Sequence, residues 1–129
     1  MLKRNGILAI MLSMMVGSAV AATPADSVMV IASPDGTQTT TQGTTTYFTR
    51  LFEVSLTNVG HQPVDLAHGC FKAYDRRGTS YSLDIAEEGL LKGMLKPGLH
   101  KKGDMGFSSL QPDVYDADVI RFSTDCPRQ

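Results

Sequence analysis

The chain has 129 residues, with 12 Lys and Arg, 13 Asp and Glu, and a formal net charge of −1. This near-neutral balance argues against a nucleic acid or an anionic membrane surface as a partner, because both are bound mainly through clustered Lys and Arg. A chain of this length can bury one hydrophobic core, so we expect a single folded domain.

The amino-terminal segment has the three parts of a secretory signal peptide. Two basic residues precede an apolar run over residues 7–16, and small residues follow it. The A-x-A pattern at residues 19–21 predicts a cleaved signal peptide over residues 1–21 and a mature domain over residues 22–129, with cleavage after Ala22 as the alternative. The apolar run is too short to cross about 30 Å of hydrocarbon, which needs roughly 20 apolar residues. We therefore predict a periplasmic or secreted protein without membrane insertion.

The first part of the mature chain predicts one strand and a long exposed connection. Residues 27–32 are apolar enough for a strand, and a turn is expected at residues 33–36, where Pro34 presets φ and Gly36 ends the turn. Residues 37–46 are rich in Thr, Gln and Gly and contain no apolar side chain before the next strand. We expect this stretch to be an exposed connection that does not pack.

The rest of the chain is dominated by alternation of apolar and polar residues, which is typical of half-buried antiparallel strands. The clearest case is residues 47–57, where Phe52, Val54 and Leu56 share one face. A short helical turn is expected within residues 86–92. Further strands are predicted over residues 63–66, 70–75, 79–85, 103–110 and 118–124, with turns at 75–78 and 95–98 between them. Their predicted inward residues are Val64, Leu66, Phe71, Ala73, Tyr81, Leu83, Ile85, Met105, Phe107, Ile120 and Phe122. This pattern predicts an all-β fold, an immunoglobulin-like antiparallel β-sandwich of about seven strands.

The two cysteines, Cys70 and Cys126, both lie in the predicted exported part. In an oxidising compartment an even pair is most simply a disulfide. The loop between them exceeds fifty residues, for which the chain-entropy model gives about 4 kcal/mol of stabilisation. A redox or nucleophilic role has little support, because the sequence has no C-x-x-C pair.

Three motifs resemble a known class of domain. Residues 57–64 are similar to a "T-N-x-G-x-x-P" bend, residues 71–81 to the hairpin after it, and residues 95–98 to an "L-x-P-G" turn. Together they resemble small secreted immunoglobulin-like sandwiches of the telokin-like, immunoprotective-extracellular type, which include periplasmic proteins of unknown function. The resemblance covers roughly residues 52–122. It implies the fold and carries no catalytic residues with it.

A metal site is the first alternative function that the residues raise. His61, Asp65 and His68 are close in sequence and supply ligand types that Cu and Zn prefer. Each histidine also lies in or beside a predicted turn, where polar residues are expected in any case. A periplasmic Cu- or Zn-binding protein is therefore kept as an alternative.

Catalytic motifs are not visible in the sequence. There is no G-x-S-x-G elbow and no Gly-rich phosphate or dinucleotide loop. The sequence gives no sign that the paired acids Glu87 and Glu88 are buried as a catalytic pair would be. We expect no enzyme activity and no cofactor.

These observations predict a non-catalytic exported binding or accessory module. Its expected partner is another exported protein or an envelope component, and a structural or envelope-stress protein without a small ligand is a further alternative. Recognition is expected in loops at residues 58–62, 75–78 and 97–102. The candidate contact residues are Asn58, His61, Gln62, Arg76, Arg77, Lys96, His100, Lys101 and Lys102.

Overall fold

A computed structural model describes residues 24–126 of the chain. The predicted signal peptide and its cleavage site lie outside the described residues. The strands are β1 (Val28–Gln42), β2 (Thr45–Asn58), β3 (Val64–Asp65), β4 (Cys70–Tyr74), β5 (Ser80–Ala86), β6 (Met94–Leu95), β7 (His100–Ser109) and β8 (Val119–Ser123). Short 3₁₀ helices span Pro24–Ser27, Leu66–His68, Glu88–Leu90 and Pro112–Asp116. None of the helices in this part of the chain is long and apolar enough to cross a bilayer.

The strands form an antiparallel six-stranded sheet in the order β1-β2-β7-β5-β4-β8 and a two-stranded ladder of β3 and β6. The outer strands of the large sheet, β1 and β8, contact each other without a ladder between them. The sheet therefore folds back on itself and encloses the core between its halves. This architecture confirms the predicted all-β antiparallel sandwich, with eight described strands where the sequence predicted about seven.

The core is built from the alternating positions that the sequence indicates. Phe52, Val54 and Leu56 on β2 are fully buried, as predicted. β7 lies beside β2 and buries Met105 and Phe107, and the Phe52 and Phe107 rings meet edge to face with their centroids 6.0 Å apart. Other predicted inward residues that are buried are Val64, Leu66, Phe71, Ala73, Tyr81, Ile120 and Phe122.

The predicted turn at residues 33–36 and the predicted connection at residues 37–46 are wrong. β1 continues through a bulge between Pro34 and Thr37, where Gly36 has a φ of +111°, and then pairs with the start of β2. Threonine is a good strand former because its β-branched side chain fits a pleated surface. Residues 37–50 thus form a paired hairpin, which we call the arm. The arm is exposed along β1, as predicted, but it is a strand pair and not a loop.

The later turns agree with the sequence. Gly78 closes the β4–β5 hairpin with a φ of +86°. Pro97 and Gly98 occupy the centre of the turn that precedes β7, and Gly98 has a φ of +81°. The expected helical turn is the 3₁₀ helix at Glu88–Leu90. Ile85, predicted to point inward, is instead 50% exposed, because a register shift between Leu83 and Ile85 turns the strand.

The predicted disulfide joins Cys70 to Cys126, with a Cα–Cα distance of 5.9 Å across a sequence separation of 56. Cys70 begins β4 and is paired in the ladder with Ser123 at the end of β8. The bond therefore fastens the carboxyl-terminal segment to the sheet just beyond its last strand.

Candidate functional site

Two of the three predicted recognition loops lie together at one end of the sandwich, and Asn58 joins them. Its side-chain amide donates hydrogen bonds to the backbone oxygens of Gln62 and Leu95, both at 2.8 Å. The Gly98 N–H donates to the Asn58 carbonyl, also at 2.8 Å. Asn58 is buried, with 1% of its surface exposed. Asn58 therefore links the two loops structurally and is not available as a contact residue. His61 and Gln62, which lie near it, are exposed.

The third predicted loop, at residues 75–78, lies at the opposite end, because β4 and β7 both finish there. Arg77 reaches three carboxylates: its Nη2 lies 2.7 Å from Asp75, 3.8 Å from Asp113 and 3.6 Å from Asp116. The pKa of the guanidinium is raised, most of all by its interaction with Tyr81 and then by the charges of Asp75 and Asp113. The ion pairs of Arg77 therefore attach the loop to the rest of the protein. Arg76, in the same loop, is exposed.

Asp75 is the buried centre of that loop. It accepts hydrogen bonds from the Tyr81 hydroxyl at 2.7 Å and from the backbone N–H groups of Arg77 and Thr79 at 2.9 and 3.0 Å. The Tyr81 hydrogen bond is the largest cause that holds the pKa of Asp75 below its usual value, against the opposing effect of burial. Burial and the same bond raise the pKa of Tyr81. The network stabilises the hairpin, and the Asp75 side chain has no exposed surface.

The basic candidate contact residues before and along β7, which we call the basic patch, have different partners. Lys101 Nζ donates to the backbone oxygens of Gly89 and Lys92, both at 2.9 Å. Lys102 lies 3.6 Å from a Glu53 carboxylate oxygen on the neighbouring strand. Lys96 and His100 are exposed. The patch is therefore not one convergent anion site.

The predicted metal ligands do not converge. Asp65 and His68 are close, with 3.6 Å between Asp65 Oδ2 and His68 Nδ1. The other oxygen of Asp65 accepts the Ala67 N–H at 3.0 Å and caps the helix that follows. Within residues 24–126 no three side chains of the His, Cys, Asp or Glu type come together in a way that would hold a metal ion. His61 therefore does not complete a three-ligand site with this pair.

A concave feature of ligand size lies elsewhere, on the outward face of the large sheet where the arm, β7 and β5 meet. It is an open cavity of about 520 Å³, which we call the groove. This volume lies within the range of about 300–1,000 Å³ that is usual for ligand sites. The groove is lined by Thr40, Gln42, Tyr47, Thr49, Ser82, Leu83, Asp84, Ser108, Ser109 and Leu110.

A hydrogen-bonded chain of three side chains crosses the floor of the groove. Ser108 Oγ donates to Asp84 Oδ2 at 2.8 Å, and Thr49 Oγ1 lies 2.6 Å from Ser108 Oγ. Because the Ser108 hydrogen goes to the carboxylate, Thr49 is the donor to Ser108. Thr49 is only 4% exposed, so it holds Ser108 in place from below. The chain aims Asp84, which is exposed, into the groove.

A second cavity of about 280 Å³ adjoins the groove. The two share Ser82 and Leu83 as lining residues. The ladder between β4 and β5 ends at Ser82, where β5 is also paired with Ser108 of β7, and the second cavity lies beyond that end beside Cys70. Leu91 and the disulfide border its far side. The two cavities together make one elongated depression across β5.

The groove is not evident from the sequence. Its residues come from four strands, and ladder pairing brings Thr49, Ser108 and Ser82 into one row across the sheet. In the sequence each of them is an isolated polar residue on the solvent side of a strand, which is common on any sandwich. Only the register of the ladders shows that they are neighbours. The signal that could have found them is the excess of Ser and Thr at outward positions of successive strands.

Comparison with known proteins gives a family but no activity. The family model described as a domain of unknown function (DUF4354) matches residues 2–124 of the chain. A crystal structure of an ApaG protein from Pseudomonas aeruginosa PAO1 is similar, with a TM-score of 0.74 and 34% sequence identity, over 78% of this chain and 98% of that one. No curated protein sequence matches the chain.

Proposed function

Because the chain belongs to the DUF4354 family, a domain of unknown function, we propose from its own surface that it is a non-catalytic binding module that works outside the cytoplasm. Its ligand would occupy the groove. The observation that carries this proposal is the hydrogen-bonded chain of Thr49, Ser108 and Asp84, which fixes a carboxylate at the floor of a cavity of ligand size.

Binding is favoured over turnover by the chemistry of the lining. Asp84 is the only carboxylate, and no His, Lys, Arg or Cys lines the groove in the part of the chain that is described. Hydrolysis of a glycoside needs a pair of carboxyl groups about 5–10 Å apart. Hydroxyl nucleophiles such as Ser108 need an adjacent base, commonly histidine. Ser108 donates to Asp84 and has no imidazole beside it.

The compartment is supported by the disulfide and by the predicted signal peptide. The bond between Cys70 and Cys126 is of a kind that persists mainly in oxidising compartments. The signal over residues 1–21 would deliver the chain to such a compartment. We therefore propose a periplasmic or secreted protein whose partner is an envelope component.

The finer resemblance to telokin-like sandwiches is part of this proposal. An antiparallel sandwich is the architecture that such domains share, and the antiparallel sheets of this chain are the feature that supports the resemblance. The groove lies on a sheet face, so recognition is proposed there in addition to the loop ends that the sequence indicated.

A matched pair of variants tests the proposed function. Ser82 and Ser80 both lie exposed on β5, but only Ser82 lines the groove and its neighbouring cavity. Ser82→Tyr should fill the depression without touching the core, and Ser80→Tyr adds the same side chain outside it. Wild-type protein, S82Y and S80Y are immobilised and exposed to an extract of the cell envelope, and the retained components are identified.

The expected result is an envelope component that wild type and S80Y retain and S82Y does not. Equal retention by all three proteins would remove the groove as the binding site. Chemical conversion of the retained component by the purified protein would contradict the non-catalytic part of the proposal. Thermal midpoints measured for the three proteins show that the comparison is made between folded chains.

A further inference from the structure

We infer that the ligand of the groove is an uncharged carbohydrate, an oligosaccharide that lies across β5. This inference rests on the proposed function, because it names the chemical class that the same groove would bind. It follows from three properties of the lining: its hydroxyl content, its lack of cations, and the state of the backbone beneath it.

The polar groups of the groove match the hydroxyls of a sugar. A sugar hydroxyl both donates and accepts, and it is best held by groups that do likewise or by a fixed carboxylate. Ser82 and Ser109 offer hydroxyls, Gln42 offers an amide, and Asp84 offers a carboxylate held by Ser108. Within residues 24–126 no hydrogen-bond donor reaches the second oxygen of Asp84, so it remains available to a ligand hydroxyl.

An aromatic ring stands beside these polar groups. Tyr47 lines the groove and is 38% exposed, and Leu110 next to it is 58% exposed. A pyranose ring has an apolar C–H face, and an exposed tyrosine offers a flat amphipathic surface at a low conformational cost. The pairing of a ring with a hydrogen-bonding carboxylate suits the two faces of a sugar.

The charge of the groove disfavours an anionic ligand beside Asp84, although Lys72 lines the adjoining cavity. The lining of the groove includes no Lys, Arg or His among the described residues, and Asp84 would repel a phosphate or carboxylate.

Peptides are disfavoured for a different reason. β2 is paired on both sides, with β1 and β7, and β7 is paired with β2 and β5. Their backbone groups are used in the ladders, so an extended peptide could not add a strand to the floor of the groove.

The adjoining cavity supplies room for more than one sugar unit. It continues from Ser82 and Leu83 towards the disulfide, where Leu91, Phe71 and Lys72 form part of its lining. The Lys72 ammonium is a donor that a sugar hydroxyl can accept from. A ligand that occupied both cavities would cross β5 at Ser82. This position explains why a bulky residue at Ser82 is expected to disrupt binding more than one at either end.

The test uses an array of immobilised uncharged glycans that covers hexose, N-acetylhexosamine, pentose and deoxyhexose units in varied linkages. The same array carries oligogalacturonate as an anionic counterpart and unstructured Ser- and Leu-containing peptides. The protein is purified from cells in the form in which they accumulate it and is applied to the array. The affinity of each array component that binds is then measured in solution. Amide shifts in NMR spectra locate the bound glycan.

We expect at least one uncharged glycan to bind and to shift the amides of Ser82, Asp84 and Ser108. Asp84→Ala should weaken that affinity about tenfold, because a hydrogen bond to a charged acceptor is lost. Asp35→Ala removes an exposed carboxylate from the bulge of β1, outside the groove lining, and should leave the affinity unchanged.

The outcomes separate this inference from the proposed function. If S82Y abolishes retention of an envelope component and no uncharged glycan binds, the carbohydrate inference is overturned and the binding module stands. If only the anionic glycan or only a peptide binds, the carbohydrate inference is likewise overturned and the binding module stands. If S82Y retains the same envelope components as wild type and no molecule on the array binds, both proposals are contradicted. Equal loss of affinity in D84A and D35A would overturn the role given to Asp84.

Discussion

The hydroxyl of Tyr81 donates a 2.7 Å hydrogen bond to Oδ2 of Asp75, a carboxylate whose side chain has no exposed surface. The two residues belong to the same hairpin, with Asp75 opening its turn and Tyr81 returning on β5. The Arg77 guanidinium adds a second donor to the same oxygen at 2.7 Å. A buried carboxylate without such donors would be strongly destabilising, so the hairpin depends on this network.

The first prediction concerns the pH dependence that this network creates. The pKa of Asp75 is lowered in the folded state, so its stabilising contribution is present above the unfolded pKa and lost as pH falls through the folded pKa. The pKa of Tyr81 is raised, so its contribution is present below its unfolded pKa, about 10, and lost as pH rises through the folded pKa. Tyr81→Phe should reduce stability at neutral pH and flatten both limbs.

The measurement is chemical denaturation at a series of pH values from strongly acidic to strongly alkaline. Tyr74→Phe serves as the control, because the Tyr74 ring stacks with Arg121 and its hydroxyl is not part of the Asp75 network. Acid and alkaline limbs in Y81F that coincide with those of wild type would contradict the role assigned to the hydrogen bond.

Parts of this fold could be predicted because the information is local. The alternation around Phe52 and Leu56 determines which face is buried, since burial is the main favourable term in folding. Pro97 and Gly98 determine their turn through the φ values that they favour. In both cases residues adjacent in sequence carry the whole signal.

The remaining features depend on pairing that the sequence does not display. The arm exists because β1 passes through a bulge at Gly36 and stays in register with β2, although its outer residues bury little surface. The groove exists because Thr49, Ser108 and Ser82 fall in one row across three strands. Asp75 reads as an exposed turn residue, and only the return of Tyr81 shows that it is buried. Register, and not composition, produces these three features.

The second prediction concerns the disulfide between Cys70 and Cys126. Replacing both cysteines by serine should lower the free energy of unfolding by about 4 kcal/mol, because the bond closes a 56-residue separation in the unfolded chain. Urea denaturation of oxidised, reduced and C70S/C126S protein measures this loss. The reduced wild type should match the double variant. Equal stability of the oxidised and reduced proteins would show that the bond contributes nothing, and free thiols in exported protein would show that it does not form.

The third prediction concerns the packing of Gly69 against Phe122. A Cβ atom at Gly69 would overlap the Phe122 ring, which is itself buried in the core. Gly69→Ala should therefore cost about 1–3 kcal/mol, as overpacking of a core does. Gly89→Ala is the matched control, since its added Cβ would meet no atom within 4 Å. Thermal or urea unfolding should separate the two variants, and a G69A as stable as G89A would refute the close approach.

The fourth prediction concerns Asn58, which joins the two loops at one end of the sandwich. Asn58→Asp keeps the shape of the side chain but replaces its amide donor by an oxygen, which faces the carbonyls of Gln62 and Leu95. Each buried acceptor left without a donor costs about 1–3 kcal/mol. We expect a marked loss of stability and faster hydrogen exchange at residues 59–62 and 96–99. Faster exchange in only one of the two loops would contradict the joint.

The last prediction concerns Tyr115, which holds the arm against the body of the protein. Its hydroxyl donates to the Gln38 carbonyl at 3.2 Å and lies 2.7 Å from Thr39 Oγ1, and its ring packs edge to face on Phe48 at 5.7 Å. The arm carries Tyr47 and one wall of the groove. Tyr115→Phe keeps the ring contact and removes the hydroxyl, which should weaken attachment of the arm by about 1 kcal/mol.

That loss corresponds to roughly a fivefold increase in local opening, which hydrogen exchange of the arm amides would detect. The groove loses its fixed wall at the same time, so any ligand of the groove should bind Y115F more weakly although Tyr115 does not line it. Thr41→Val is the control, because it removes only the exposed 3.3 Å contact between Thr41 and Thr46 near the end of the arm. If Y115F and T41V exchange alike, the arm is held by its ladder alone and Tyr115 does not set the shape of the groove.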